Sequence, residues 1–434
     1  MKNKKLLFIS LGCDKNLVDS EFMIGMLTAE GVVLCDDETE ADIIIINSCC
    51  FINDAKEESI NTILEMAEYK QDKCKKLFVL GCLSQRYRDD LIEQLPEVDR
   101  FITIDEYPQL EAILQEEMDV PFVGCKMPRM LTSQPWMAYL KIAEGCSNRC
   151  SYCAIPLIRH DYVSYDFEAI IEEAKMLAAK GVKELNIIAQ DTTRYGIEKY
   201  GKRRLLELLQ ELDKIEGFHW IRVLYMYPDE IDDELVVGMK QLKKVLPYFD
   251  IPVQYGNDRM LQLMNRRGTI EEIKHTINLI RSTFEHSVLR TTMIVGFPKE
   301  TQADFNDLME FIKEVKWDRL GAFTYSLEED TASYDMKPRV SEKTMQRRLR
   351  ILMEEQEKIA QENAEKLVGQ TLEVLVESVD GLTHMYRGRS MYSAPDGIDG
   401  LVLFKSETPL QLGEFVNVKI MKAKVHDLIG VVEK

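Results

Sequence analysis

Three cysteines stand in one short run, Glu144-Gly145-Cys146-Ser147-Asn148-Arg149-Cys150-Ser151-Tyr152-Cys153. The spacing Cys-x3-Cys-x2-Cys, on a loop directly after an expected strand, lets three thiolates hold three irons of a 4Fe–4S cluster. The fourth iron is then open to a substrate or cofactor. A zinc site would normally take four ligands, so a fourth would have to come from elsewhere. Three more cysteines are scattered: Cys13 in Ser10-Leu11-Gly12-Cys13-Asp14-Lys15-Asn16, Cys49 in Asn47-Ser48-Cys49-Cys50-Phe51, and Cys82 in Leu80-Gly81-Cys82-Leu83-Ser84. Each follows the expected C-terminal end of a strand, the edge beyond which open α/β sheets bind ligands. Residues remote in sequence can converge there as a second trio, again with one iron open. Taken singly, each also reads as a buried structural thiol. Cys50 is an alternative to Cys49. Cys35, Cys74 and Cys125 have no companion motif and read as structural.

Such a placement needs a particular set of elements. Over residues 1–130, strands and helices alternate, which predicts a doubly wound parallel sheet with helices on both faces. Strands are expected at Leu6–Ser10, Asp42–Asn47, Lys76–Leu80 and Phe101–Ile104. Helical spacing recurs in Leu17, Met23, Ile24 and Leu27 and in Ile60, Ile63, Leu64 and Ala67. Asp54 can cap the second helix, and a third is expected from about Arg86. Residues 125–134 read as a linker. From Trp136 a second βα series begins, long enough for a full or partial parallel barrel over 131–365. Its strand candidates are Glu184–Ala189, Trp220–Met226, Phe249–Gln254, Val288–Val295 and Leu320–Thr324. Ser341–Leu367 is a charged helix without Pro or Gly. Over 366–434 the period becomes two, in Thr371–Val379, Leu401–Phe404, Phe415–Ile420 and Leu428–Val432, which predicts a small antiparallel β-domain.

A chain of 434 residues is too long for one ordinary core. No apolar run approaches the ~20 residues of a membrane span. Met1–Lys5 is basic and Leu6–Cys13 apolar, which suits a strand and loop or a very short leader. Ten cysteines in a long acidic chain of net charge −19 point to a reducing cytosol and to metal or cluster binding rather than a disulfide framework. The same charge opposes generic nucleic-acid binding and favours a basic protein partner.

The triplet, Tyr152 before its last cysteine and Ala154-Ile155-Pro156 after it resemble the radical-SAM superfamily. That resemblance implies an open iron chelated by S-adenosylmethionine, one-electron cleavage of the sulfonium, and Tyr152 beside the adenine. With the cysteine-bearing N-terminal sheet and the C-terminal β-domain, the chain resembles the methylthiotransferase family over almost its whole length. Ser10-Leu11-Gly12-Cys13-Asp14-Lys15-Asn16-Leu17-Val18-Asp19-Ser20-Glu21 and Ala189-Gln190-Asp191-Thr192-Thr193-Arg194-Tyr195-Gly196 resemble the branch that modifies a ribosomal protein. The resemblance implies a radical-SAM partial (βα) barrel, two 4Fe–4S clusters on Cys13, Cys49, Cys82 and on Cys146, Cys150, Cys153, and S-adenosylmethionine as methyl donor and radical source. It further implies methylthiolation of the β-carbon of an aspartate in ribosomal protein S-twelve or the small ribosomal subunit, an electron-donor protein, no membrane and a cytoplasmic enzyme. Tyr152, Gln190, Gln254, Arg290 and Gly296 are the expected cofactor contacts, Gly296 within Ile294-Val295-Gly296-Phe297-Pro298. Gly296 and Pro298 read equally well as a plain turn. Three departures concern the contacts on that rim: Arg159-His160 where the family often has Arg-Gly, Ser164-Tyr165 for Ser-Arg, and Gln254-Tyr255 for Gln-His.

Residues 366–434 resemble a TRAM domain, a small β-barrel that binds tRNA in some relatives. Here eight Lys/Arg face nine Asp/Glu. A phosphate-reading module would carry a basic excess, so the balance favours a basic protein substrate, with a tRNA-modifying relative as the alternative, a noncatalytic iron–sulfur scaffold as a second, and direct RNA contact open.

Overall fold

Runs of β-branched residues bounded by charged turns build the first sheet. β1 (Lys5–Ser10), β2 (Val33–Leu34), β3 (Ile43–Ser48), β4 (Lys76–Gly81) and β5 (Arg100–Ile102) pair in parallel in the order β2-β1-β3-β4-β5. The structure is a computed structural model and describes residues 4–118, 129–395, 397 and 399–433. The connecting helices are α1 (Asp14–Ala29), α2 (Asn53–Glu68), α3 (Cys82–Gln94) and α4 (Leu110–Met118). β3 is buried throughout, and its side chains alternate between two cores. Ile44 and Ile46 pack with Ile63 and Met66 of α2 and Leu83 and Leu91 of α3. Ile43 and Ile45 pack with Met23 and Leu27 of α1 and Ile113 and Leu114 of α4. Helices cover both faces, which is why the strand reads as an unbroken apolar run.

Two expectations are corrected here. α3 begins at Cys82, not near Arg86, because Gly81 (φ 95) turns the chain from strand to helix in one residue; the helix kinks at Tyr87. Asp54 does not cap α2, which starts at Asn53 after Ile52 without a side-chain cap. It lies in the first turn, where a carboxylate still favours the helix dipole.

In the second domain β6 (Met137–Lys141) is followed by a two-stranded ribbon, β7 (Ala143–Glu144) against β8 (Val163–Ser164). This ribbon brackets the Cys146–Cys153 loop. β9 (Glu184–Ile188), β10 (Trp220–Val223), β11 (Val245–Asp250), β12 (Val288–Val295) and β13 (Arg319–Thr324) complete a parallel sheet in the order β13-β12-β11-β10-β9-β6. It is a partial barrel, open between β13 and β6. The strand expected at Phe249–Gln254 ends at Asp250; Pro252 has no N–H for the ladder, and Gln254 keeps only a single bridge to Met293. The helices are α5 (Ile155–Arg159), α6 (Phe167–Ala179), α7 (Ile197–Tyr200), α8 (Leu205–Asp213), α9 (Asp233–Lys240), α10 (Asp258–Leu263), α11 (Ile270–Thr283), α12 (Gln302–Val315) and the long α13 (Glu342–Glu365).

The third domain is a closed barrel of β14 (Thr371–Val379), β15 (Tyr386–Arg389), β16 (Val402–Lys405), β17 (Phe415–Ala423) and β18 (Leu428–Val432). Its pairs are antiparallel except β16 with β18. One apolar cluster holds Val18 of α1, Tyr139 of β6, Tyr248 of β11 and Leu375 of β14, so the three domains share a core. Cys125 and the rest of 125–128 in the expected linker lie outside the described residues. Arg129 is no loose connector: it is buried and bonds Glu21 of α1 at 2.7 Å and Glu173 of α6 at 2.5 Å. No helix among the described residues is long and apolar enough to cross a membrane.

Candidate active site

Strand order decides where the scattered cysteines meet. β1, β3 and β4 are neighbours in the sheet, and Cys13, Cys49 and Cys82 leave their C-terminal ends. This is the edge of the sheet where the order reverses, between β1 and β3, and where such folds form a crevice. Gly12 (φ 91) packs so tightly that a Cβ there would lie 2.8 Å from Cys49 Cβ and 2.9 Å from its Sγ. The loops of Cys13 and Cys49 are therefore in contact. Asn16 joins the third: its Nδ2 donates to Leu11 O at 3.0 Å and Ser48 O at 3.1 Å, and its Oδ1 lies 3.6 Å from Cys82 Sγ. Cys50 turns into the apolar core beneath with Ile46 and Ile63. Cys35 and Cys74 border that same core. Burial pushes the Cys49 thiol up, and pushes Cys82 up to about 12 against the opposing charge of Arg159.

The Cys146–Cys153 loop is held by its own backbone, with Cys146 N donating to His160 O at 3.0 Å and Cys153 N to Cys150 O at 3.0 Å. Gly145 (φ 73) is jammed against this return, since a Cβ would fall 2.3 Å from Asp161 O. Burial pushes the Cys146 thiol up to about 11 and Cys153 higher still. Beside Cys150 stand the Tyr227 hydroxyl at 3.8 Å and Arg266 Nη1 at 3.6 Å. Arg266 also donates to Tyr152 Oη at 3.2 Å and Pro252 O at 2.6 Å. It is buried and pairs with no carboxylate among the described residues. A buried guanidinium needs its donors satisfied; here they meet Pro252 O, Tyr152 Oη and Cys150 Sγ.

Both trios thus suit an iron–sulfur cluster. Their described thiols are free of disulfides, and each trio has a buried arginine against one thiol, Arg159 by Cys82 and Arg266 by Cys150. Near the first trio the Tyr107 hydroxyl is buried without a hydrogen-bond partner among the described residues, a polar atom left for a further group. No three His, Cys, Asp or Glu among the described residues converge tightly enough to hold a single ion; thiolates of a cluster each face a different iron.

Beside the two cysteine loops lies a cavity of about 780 Å³. Its walls include Phe51 to Asp54, which continue from Cys49 and Cys50, and Tyr152, which precedes Cys153. The strand ends of the barrel supply Gln254, Thr292, Ile294 and Gly296. Gln254 holds a left-handed backbone (φ 79) that a non-glycine residue rarely adopts. Its Oε1 is buried without a hydrogen-bond partner among the described residues. Phe51, 44% exposed, and Phe323, 57% exposed, stand at the mouth.

Three of the five expected cofactor contacts, Tyr152, Gln254 and Gly296, line this cavity. Gln190 lies behind it, donating to Glu144 Oε1 at 2.9 Å. Arg290 points to the third domain, 3.7 Å from Asp250 and 3.9 Å from Asp399. His160 is exposed and meets Asp105 at 2.9 Å. Its backbone is left-handed (φ 59), the conformation glycine adopts freely. Sequence reasoning missed Arg159, Asn16 and Arg266. Arg159 was legible only as the residue before that irregular position; for Arg266 nothing in Met264-Asn265-Arg266-Arg267 signals its contact.

Residues 5–103 match the uncharacterized protein family UPF0004, 140–312 the radical SAM superfamily, and 368–432 the TRAM domain. The chain is 48% identical to the ribosomal protein uS12 methylthiotransferase RimO of Caldicellulosiruptor saccharolyticus, over 98% of this chain and 99% of that protein. It is 48% identical to the protein of that name from Clostridioides difficile, over 98% of each. Among solved structures it resembles the radical S-adenosylmethionine methyltransferase TsrM of Kitasatospora setae, with TM-score 0.58, 13% identity and 77% of each chain covered; at that identity the likeness is one of fold.

Proposed function

Because the chain belongs to the radical-SAM methylthiotransferase family, in its RimO branch, we propose that it methylthiolates the β-carbon of an aspartate in ribosomal protein uS12 (S-twelve), in the cytoplasm. Cys146, Cys150 and Cys153 hold one 4Fe–4S cluster, and Cys13, Cys49 and Cys82 hold a second. When bound, the clusters and S-adenosylmethionine supply the one-electron chemistry, the methyl group and the sulfur, with electrons from a separate donor protein.

The observation that carries this reading is a cavity lined both by Phe51, next to Cys50, and by Tyr152, inside the other cysteine loop. At about 780 Å³ it falls in the range of small-molecule sites, roughly 300–1,000 Å³. The protein's own work there is positioning. Tyr152 and Gln254 form a wall for S-adenosylmethionine, with Gln254 Oε1 as an acceptor awaiting a donor. Gly296 leaves room for α13, since a Cβ would strike Met345 at 2.2 Å. Arg266 sets a positive charge beside Cys150. Glu328, on the cavity wall, is neutralised by Lys56 at 3.0 Å and Arg86 at 3.2 Å. Phe51 and Phe323 flank the mouth and shed water when a substrate loop enters. Gln190 and Arg290 act from behind, Gln190 by steadying Glu144 at the root of the cysteine loop and Arg290 by anchoring β12.

The test is anaerobic reconstitution with iron, sulfide, reductant and S-adenosylmethionine, with uS12 and unmodified tRNA offered separately and both read by mass spectrometry. A methylthio gain on an aspartate of uS12 is expected; a gain on a tRNA adenosine instead would overturn the substrate while keeping the chemistry. Cys146→Ala is expected to abolish deoxyadenosine formation. Cys13→Ala should spare that cleavage and stop sulfur transfer, and normal methylthiolation by it would refute the second cluster.

A further inference from the structure

Between the two cysteine trios runs a buried polar bridge that belongs to neither. α5 begins two residues after Cys153 and ends at Arg159, whose side chain crosses into the N-terminal domain. Arg159 Nη2 donates to Asn16 Oδ1 at 2.5 Å, and the guanidinium meets Asp19 Oδ2 at 3.3 Å and Glu144 Oε2 at 2.9 Å. Lys141 pairs with the same carboxylates, Glu144 at 2.8 Å and Asp19. Two cations and two carboxylates balance within the bridge. Asn16 Oδ1, which accepts from Arg159 Nη2, lies 3.6 Å from Cys82 Sγ, so the guanidinium stands beside that thiol. Lys141 is turned to the carboxylates, and Arg86 to Glu328. Arg159 is therefore a cation that faces the first trio. Asn16 hangs on it the loops of Cys13 and Cys49, through Leu11 O and Ser48 O, and shares its Oδ1 with Cys82 Sγ.

We infer that Arg159 is the fixed positive charge of the Cys13/Cys49/Cys82 site, raising the reduction potential of the cluster held there, and that Asn16 is the positioning residue that ties the three cysteine loops to it. A cluster gains negative charge on reduction, so a neighbouring cation in a dry setting favours the reduced form, and nearby charge and hydrogen bonds to sulfur are the means by which proteins set such potentials. The charge comes from the helix that follows Cys153, so the second site is complete only when the first loop is in place. The inference rests on the two-cluster reading.

The holoenzyme is reconstituted, its iron counted, and its two midpoint potentials measured by an EPR-monitored redox titration; the midpoint lost in Cys82→Ala identifies the second cluster. For Arg159→Met the iron content is expected to hold, with that midpoint alone moving to more negative potential. Arg159→Lys, which keeps the charge, should stay near the wild-type value. An unmoved midpoint in Arg159→Met, an equal shift of both clusters, or an Arg159→Lys shift as large as that of Arg159→Met would each overturn the inference. If Arg159→Met loses iron, Arg159→Lys decides: recovery of iron and potential supports a charge role, and failure of both overturns it. Wild-type protein carrying iron for one cluster only would sink the two-cluster reading itself, and iron content shows this before any potential is measured.

Discussion

Gly12 is the residue whose backbone does most to bring two distant cysteines together. Its φ of 91 and the missing Cβ let the Cys13 loop rest on Cys49. An alanine there must both hold a left-handed backbone, at about 1–2 kcal/mol, and displace Cys49. Gly12→Ala is therefore expected to fold with reduced iron and sulfide in the second site and unaltered S-adenosylmethionine cleavage; iron content beside deoxyadenosine yield checks it. The spacing of Cys146, Cys150 and Cys153 was legible because one loop carries all three. Arg266 was not, because its meaning comes from Cys150 across 116 residues of chain. Cys49 borders Gly12, while Cys50 lies in the core cluster that also holds Cys82.

Strands of the barrel were legible from their apolar runs. α11 was not singled out, although its sequence carries a signal: Thr269 accepts from Glu272 N while Glu272 returns to Thr269 N, a capping box ahead of the buried stripe Ile273, Thr276, Ile277 and Ile280. Thr269→Ala is expected to cost about 1 kcal/mol, seen as a small fall in Tm, with iron content unchanged because α11 contributes nothing to either trio. Short elements escaped the pattern. β2 has two residues and β15 four, too few to show a period, and Arg387 and Arg389 disguise the latter. α5 is a single turn, yet it carries Arg159 from one site to the other.

The whole molecule is joined by buried ion pairs that span domains. Arg129 links Glu21 of the first domain to Glu173 of the second, with its side chain fully buried. Arg129→Met would leave two buried carboxylates without their cation, at a cost of about 3–5 kcal/mol. A marked fall in Tm and faster proteolysis of the N-terminal domain are expected; wild-type resistance would count against the linkage. At the third domain, burial pushes the Glu184 carboxyl up, but Arg389 and Arg222 outweigh it and hold it below its ordinary value of 4.5. A carboxylate depressed in the folded state stabilises above its unfolded pKa and loses that contribution as pH falls through the folded one. Tm should therefore fall on acidification below about pH 4, and less steeply in Glu184→Gln. A pH-independent difference between the two proteins would refute the assignment.

Periodicity along the chain was enough to determine the doubly wound sheet, the parallel barrel series and the β-domain, and cysteine spacing to nominate two trios of thiols, because each is written in contiguous residues or at repeated strand ends. Tertiary structure alone decided which groups complete those trios. Strand order set β1, β3 and β4 side by side, turned Arg290 towards Asp399 and away from the cavity, and brought Arg159 across 143 residues to Asn16. A buried charge takes whichever partner the fold places beside it, and no local pattern along the chain records that choice.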